Sequence, residues 1–114
     1  MIDLSAYPKR SPKSIASPFR YPGGKGFLTA FLAAQLEKRF PAKSAGFAEP
    51  YCGGAGAALN LLADDEVDVV YLNDADIRIF SAWKAITQEN DRFLERIKEI
   101  EVNIKTWETC VRLL

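Results

Sequence analysis

Residues 46–63 read GFAEPYCGGAGAALNLLA, and this stretch decides the fold. Residues 46–49 predict a short buried strand, and the glycines of residues 51–56 predict a turn. The Ala and Leu residues of 57–63 predict a helix that can pack closely on a sheet. Glycines between a strand and a helix let backbone N–H groups approach a ligand, because no Cβ atom is in the way. The turn is therefore the first candidate for a binding site.

A second strand follows this helix in the sequence. Residues 67–72 read VDVVYL and predict a strand rich in β-branched residues that ends at Asn73-Asp74. A further helix is expected over residues 77–87. The order of strand, glycine turn, helix, strand and acid is that of a βαβ unit. A doubly wound sheet normally has about five or more strands, so we predict a partial version of this α/β fold, with few strands and flanking helices.

The segment upstream of the first strand is basic. Residues 20–26 read RYPGGKG, and a helix is expected over residues 27–39, stopped by Pro41. Residues 1–18 contain three prolines with serines between them and predict a disordered leader. Residues 1–25 carry five basic side chains against one acid, a net charge of +4, although the whole chain is neutral. The leader is thus either a segment that contacts phosphate or a solvated tail.

The C-terminal part carries an apolar stripe. Its members recur at spacings of four and three, which predicts one helical face: Phe93, Ile97, Ile100, Ile104, Trp107, Val111 and Leu114. The stripe lies either on one long helix or on two helices broken near Val102-Asn103. Packing into the core of the chain is favoured, because about three heptads are few for a coiled coil. The alternative is a partner chain that binds along the stripe.

Composition excludes several classes of chemistry. The 114 residues include no His, so Ser-His-Asp and Cys-His nucleophiles and His-ligated metals are excluded within this chain. Cys52 and Cys110 lie far apart, so no Cys-x-x-Cys metal or redox spacing exists. Two free thiols fit a reducing cytoplasm. No apolar run reaches the roughly 18 to 20 residues that span a bilayer, so no membrane partner is expected.

The glycine segments do not match the common phosphate-binding patterns. The pattern GxxxxGK[ST] is absent, because residues 24–26 read GKG and Phe19 stands where the first glycine is needed. The NAD-binding pattern GxGxxG fails because Leu59 stands in its last position. A nucleoside-type cofactor without pyrophosphate remains, and Glu49 would repel phosphate but attract a cation or a hydroxyl. The alternative is a turn whose glycines only relieve steric conflict.

Two further segments are candidates for binding. Asp74 follows the second strand, 18 residues after Gly56, where a carboxylate can accept hydrogen bonds from both ribose hydroxyls. Alternatively, Asp74 caps the following helix, although Asp76 could do so equally well. The glycine pair between Tyr21 and Lys25 either folds around a flat or anionic group or forms a hinge before the first helix.

Together, in this order, the three segments resemble the Dam-type DNA adenine-N6 methyltransferases over roughly residues 17–101. The family pattern Tyr/Trp-x-Gly-Gly-Lys matches residues 21–25, YPGGK. Its strand ending in Glu-Pro-Phe/Tyr-x-Gly-x-Gly matches residues 49–56, EPYCGGAG, with one extra position before the last Gly. Its strand ending in Asn/Ala-Asp, followed by a helix, matches residues 72–74, LND.

The resemblance implies a Rossmann-like methyltransferase fold that binds S-adenosylmethionine. Asp74 would bind the ribose hydroxyls, and the turn of residues 49–56 would surround the methionine part. Tyr21 and Lys25 would lie beside the cofactor and the target base, although Lys25 could instead contact the cofactor carboxylate. The cofactor-binding residues so implied are Tyr21, Gly24, Lys25, Glu49, Pro50, Tyr51, Gly53, Gly54, Gly56 and Asp74.

The family transfers a methyl group to the exocyclic amine of an adenine flipped out of duplex DNA, and it needs no metal. Its second motif, Asp-Pro-Pro-Tyr, holds the target amine, but this sequence contains no such motif. We therefore expect residues 19–114 to be the N-terminal, cofactor-binding part of a cytoplasmic methyltransferase, with no catalytic residue in this chain. Double-stranded DNA is the expected partner, through missing parts and through the basic leader. The alternative is a non-catalytic remnant or a helix-mediated interaction module.

Overall fold

The computed structural model describes residues 17–19, 22–42 and 46–113. Over these residues the chain has α/β structure, with a two-stranded parallel sheet and five α-helices. It divides into two compact units, of which the first ends at Asp74 and the second begins at Ala75. The predicted α/β class with few strands is therefore confirmed. Residues 1–16 of the predicted leader lie outside the described residues.

The observed elements follow the predicted order closely. In the first unit a 3-10 turn at Gly26–Leu28 precedes the helices and strands, which are α1 (Thr29–Arg39), β1 (Gly46–Glu49), α2 (Gly56–Ala63) and β2 (Val69–Leu72). In the second unit the helices are α3 (Ile77–Gln88), α4 (Asn90–Glu99) and α5 (Ile104–Arg112). The helix α2 begins one residue earlier than predicted. The strand β2 begins two residues later than predicted, at Val69, where its pairing with Gly46 starts. Val67 is buried in the loop that precedes the strand.

The two strands are parallel, so their carboxyl ends lie at the same edge of the sheet. Gly46 pairs with Val69 and Glu49 pairs with Leu72. Backbone bonds continue past the sheet, since the Asn73 amide donates to the Glu49 carbonyl at 3.0 Å and the Cys52 amide donates to the Asn73 carbonyl at 2.9 Å. The segments after both strands are therefore held side by side.

The prediction that β1 is a buried strand is wrong. Exposed and half-buried residues alternate along both strands, so each strand is covered on one face only. The helix α2 contacts both strands, and the buried apolar residues of the unit cluster around α2 and its flanking loops: Cys52, Ala55, Ala57, Ala58, Leu61 and Val67. On the open face the side chains of Val69 and Tyr71 are exposed. A sheet with helices on both faces would bury these strands fully, but no second layer exists in this unit among the described residues.

The turn between β1 and α2 contains two residues in the left-handed region. Gly53 has φ of 48° and Ala55 has φ of 50°. Glycine adopts such angles freely, whereas for alanine they cost roughly 1–2 kcal/mol. Ala55 is only 1% exposed, so the surrounding core fixes its conformation.

Replacing Ala55 with glycine tests this strain against a matched site. Ala57 is equally buried and lies inside α2, so Ala57→Gly loses the same methyl group without relieving any strain. We expect both variants to lower the free energy of unfolding. The loss for Ala55→Gly should be smaller than the loss for Ala57→Gly by about 1–2 kcal/mol. Urea denaturation of both variants measures the difference. Equal losses would show that Ala55 is not strained.

The second unit begins with a well-defined helix cap. The Asp76 carboxylate accepts a hydrogen bond from the Arg78 amide and another from the Arg78 guanidinium, both at 2.9 Å. These hydrogen bonds, together with the Arg78 charge, lower the pKa of Asp76 to about 2. The helix α3 is thus capped by Asp76, and the alternative that Asp74 caps it is not realised.

The C-terminal stripe is divided between two helices. The chain is extended at Ile100, and the Asn103 side chain caps α5 by accepting from the Thr106 amide at 2.8 Å. The prediction that the stripe packs into the core is wrong for the described residues, because no residue of α4 or α5 is buried. Within this unit α3 packs against α4, and α5 finds no comparable cover among the described residues. No helix in the described ranges is both long enough and apolar enough to cross a membrane.

Candidate functional site

The carboxyl ends of β1 and β2 bring together several of the predicted binding residues. We use the name strand-end site for Glu49, the turn of residues 52–56 and Asp74. The side chains come from two strands, and the backbone comes from the turn that leads into α2. Ligands of open parallel sheets bind in this position, at the carboxyl ends of the strands. The parallel pairing therefore brings these segments to the same edge of the sheet.

Asp74 holds the glycine turn. Its Oδ2 atom accepts a hydrogen bond from the Gly53 amide at 2.9 Å, across 21 positions of sequence. The Asn73 side chain reaches the same turn and donates to the Pro50 carbonyl at 3.4 Å. The residues after β2 thus fix the backbone after β1.

Glu49 is a carboxylate in a poorly solvated position. Burial raises its pKa, while the Ala58 backbone N–H and the positive charge of Lys25 act in the opposite direction. Its Oε2 atom is shielded from solvent and has no hydrogen-bond partner among the described residues. Buried acceptors are normally paired. This oxygen is therefore suited to a donor or a cation that a ligand brings.

Cys52 is buried and lies within electrostatic range of both carboxylates. Burial raises the pKa of its thiol, and the negative charges of Asp74 and Glu49 raise it further. The thiol therefore stays protonated at neutral pH, which does not suit a nucleophile. The same electrostatics make the site unfavourable for an anion and favourable for a cation.

A buried pair of polar side chains ties the Lys25 segment to α2. The Asn60 side chain donates to Thr29 Oγ1 at 3.1 Å, and Thr29 Oγ1 donates to the Gly26 carbonyl at 2.7 Å. Gly26 lies directly on the start of α2, since a Cβ atom on Gly56 would stand 3.4 Å from the Gly26 nitrogen. Thr29 and Asn60 were not predicted as site residues. The signal for Asn60 was its position as the one polar residue of the apolar helix segment GAALNLLA.

The remaining predicted residues differ in their placement. Gly24 and Pro50 are exposed, and Tyr51 is 74% exposed. Gly54 is buried against Ser17, whose Oγ would stand 2.5 Å from a Cβ atom on Gly54. Tyr21 lies outside the described residues. The side chains that the fold brings to the strand-end site are thus those of Glu49 and Asp74.

Ala55, and not Gly56, takes the left-handed conformation at the end of the turn. Gly56 is the first residue of α2 and has no left-handed backbone angle, whereas Ala55 has one.

Among the described residues, no group of three or more Cys, Asp or Glu side chains is arranged to hold a metal ion. Comparison with protein-family models, curated proteins and solved structures finds no match to this chain. The chemistry of the strand-end site thus rests on its own geometry and charge.

The unusual ionisation of Glu49 predicts a stability change with pH. Because its folded-state pKa is raised above the ordinary 4.5, its contribution to stability is most favourable below pH 4.5 and is lost as pH rises through the folded-state pKa. Gln resembles the protonated carboxyl group. The free energy of unfolding of Glu49→Gln should therefore be higher than that of the natural chain near pH 7. Near pH 4 the two values should be nearly the same.

Denaturation at both pH values measures this difference. Glu37→Gln is the control, since it removes the same charge from an exposed position on α1. An equal effect of Glu49→Gln at the two pH values would mean that the Glu49 carboxylate is not destabilised by burial.

Proposed function

We propose that the strand-end site binds S-adenosylmethionine and that this chain is the cofactor-binding part of a DNA adenine-N6 methyltransferase with a Rossmann-like fold. The observation that carries the proposal is the shielded Glu49 Oε2 atom, which lacks a hydrogen-bond partner among the described residues. It lies beside a glycine turn at the carboxyl ends of parallel strands. Such a site is typical of nucleoside-containing cofactors.

The charges at the site favour this cofactor over a nucleotide. Glu49 and Asp74 both act on Cys52 and raise its pKa, so two carboxylates lie within electrostatic range of the turn. A phosphate would be repelled there. S-adenosylmethionine has no phosphate and carries a positively charged sulfonium and an amino group. Either cation would offset the desolvation that raises the pKa of Glu49.

The ribose hydroxyls are assigned to Asp74. Asp74 is the second residue after β2, and its bond to the Gly53 amide orients the carboxylate toward the turn. Hydrogen bonds to a charged acceptor contribute about 1.5–3 kcal/mol each. The Lys25 segment, held on α2 through Thr29 and Asn60, lies near enough to lower the pKa of Glu49. We assign Lys25 either to a position beside the cofactor and the target-base pocket or to contact with the cofactor carboxylate.

The reaction we propose is transfer of the cofactor methyl group to the exocyclic amine of a flipped adenine. The residues of this chain bind and orient the cofactor, and none is proposed as catalytic, since the sequence has no Asp-Pro-Pro-Tyr. Duplex DNA is the proposed substrate, with the basic side chains of residues 1–25 contacting its phosphates. We place the protein in the cytoplasm, where free thiols stay reduced.

A second candidate function, a helix-mediated interaction module, is favoured by the exposed apolar side chains of α4 and α5. The two candidates are compatible, because one concerns the first unit and the other concerns the second.

Calorimetry with S-adenosylmethionine and with ATP tests the cofactor proposal. We expect S-adenosylmethionine to bind and ATP to bind at least tenfold more weakly. Asp74→Asn keeps an acceptor for the Gly53 amide but removes the charge, so it should weaken S-adenosylmethionine binding by roughly 10- to 100-fold. Asp76→Asn is the matched control, because Asn also caps helices, and it should leave the affinity unchanged.

Three results would contradict the proposal. They are the absence of S-adenosylmethionine binding, tighter binding of ATP, and an affinity that Asp74→Asn does not change. Circular dichroism of the variant establishes that the fold is retained, so that a weaker affinity reports on the site itself.

A further inference from the structure

We propose that Glu49 makes the strand-end site prefer S-adenosylmethionine to S-adenosylhomocysteine, the neutral thioether that remains after the methyl group has been transferred. The inference rests on the proposed function and adds to it a role for Glu49 in releasing the product. It concerns the charge of the ligand rather than its shape, because the two compounds differ only by the methyl group and by the charge on sulfur.

The reaction removes one positive charge from the compound that the site holds. The bond between sulfur and the methyl carbon breaks with its electron pair on sulfur, the lone pair of the adenine amine forms the new carbon–nitrogen bond, and one amine proton passes to solvent. The amino group and the carboxylate of the methionine part are present in both compounds and cancel in charge. The ligand therefore changes from a net cation to a neutral compound.

The carboxylate of Glu49 is shielded from water at one of its oxygens. Its Oε2 atom accepts no hydrogen bond from the described residues. Burial raises the pKa of this carboxyl group, and the Ala58 backbone N–H and the positive charge of Lys25 oppose that rise only in part. A shielded charge interacts with a nearby ligand charge more strongly than an exposed one does, because less water screens it. Glu49 therefore favours a cationic ligand over a neutral one of the same shape.

The charges around the glycine turn have a negative excess. Glu49 and Asp74 both act on the Cys52 thiol, which burial and these two charges keep protonated. Lys25 acts on Glu49 with the opposite sign. Among these groups, two carboxylates are thus opposed by one ammonium group. A ligand with one net positive charge balances the excess, whereas the neutral product leaves it in place.

Asp74 contributes less than Glu49 to this preference. Its Oδ2 atom already accepts a hydrogen bond from the Gly53 amide at 2.9 Å. Under the proposed function it also holds the ribose hydroxyls, which the cofactor and the product both have. Hydrogen bonds to Asp74 therefore add affinity for both compounds alike. Loss of the sulfonium charge acts on binding mainly through Glu49, so the product leaves the site more readily than the cofactor does.

Calorimetry of the natural chain with three ligands tests the charge preference without any variant. S-adenosylmethionine should bind at least tenfold more tightly than S-adenosylhomocysteine. Sinefungin has a carbon with an amino group in place of the methylated sulfur, so it keeps a positive charge near the same position. It should bind at least fivefold more tightly than S-adenosylhomocysteine.

Glu49→Gln tests which residue is responsible. Gln keeps the size of the side chain and removes its charge, so the preference for S-adenosylmethionine over S-adenosylhomocysteine should fall below threefold. Glu37→Gln is the matched control, because it removes the same charge from an exposed position on α1, and it should keep the preference of the natural chain. A preference that Glu49→Gln leaves unchanged overturns the role of Glu49. Circular dichroism establishes that both variants keep their helices.

The same titrations separate this inference from the proposed function. If neither S-adenosylmethionine nor S-adenosylhomocysteine binds, the proposed function fails and the charge preference fails with it. If both compounds bind the natural chain with equal affinity, the cofactor proposal stands and only the charge preference is overturned.

Discussion

The hydrogen bond from the Gly53 amide to the Asp74 carboxylate is the constraint on which the strand-end site depends. It joins the turn that follows β1 to the segment that follows β2. The backbone bonds from Asn73 to Glu49 and from Cys52 to Asn73 lie beside it and continue the parallel pairing. These three hydrogen bonds hold the glycine turn beside the end of β2. Ala55, at the end of the same turn, is held in a left-handed conformation that alanine does not favour.

The same constraint concentrates negative charge. Glu49 and Asp74 both raise the pKa of the buried Cys52 thiol, and burial raises the pKa of Glu49 itself. Holding the Glu49 carboxylate in this position costs stability. A cationic ligand with hydroxyl groups offsets that cost, whereas a phosphate adds to it. The electrostatics of the turn therefore decide the class of ligand that we propose.

Much of the fold could be predicted because its signals are local. The β-branched run before Asn73 predicted β2. Of the two alternatives for the C-terminal stripe, two helices broken near Val102-Asn103 are observed rather than one long helix. Contacts between distant residues could not be predicted in this way. Thr29 and Asn60 meet across 31 positions, and nothing local marks Thr29 as the partner. The prediction that the C-terminal stripe packs into the core failed for the same reason. The amphipathic pattern of α5 shows which side of the helix is apolar, but it does not show which residues pack against that side.

The central claim is that the glycine turn after β1 forms one wall of an S-adenosylmethionine site, and NMR tests it most directly. In a nitrogen–proton correlation titration, the amide signals of Gly53 and Gly54 should shift on addition of the cofactor, while those of Thr106 and Thr109 in α5 stay in place. Binding that leaves the Gly53 signal unmoved, or no shifts at millimolar cofactor, would contradict the account.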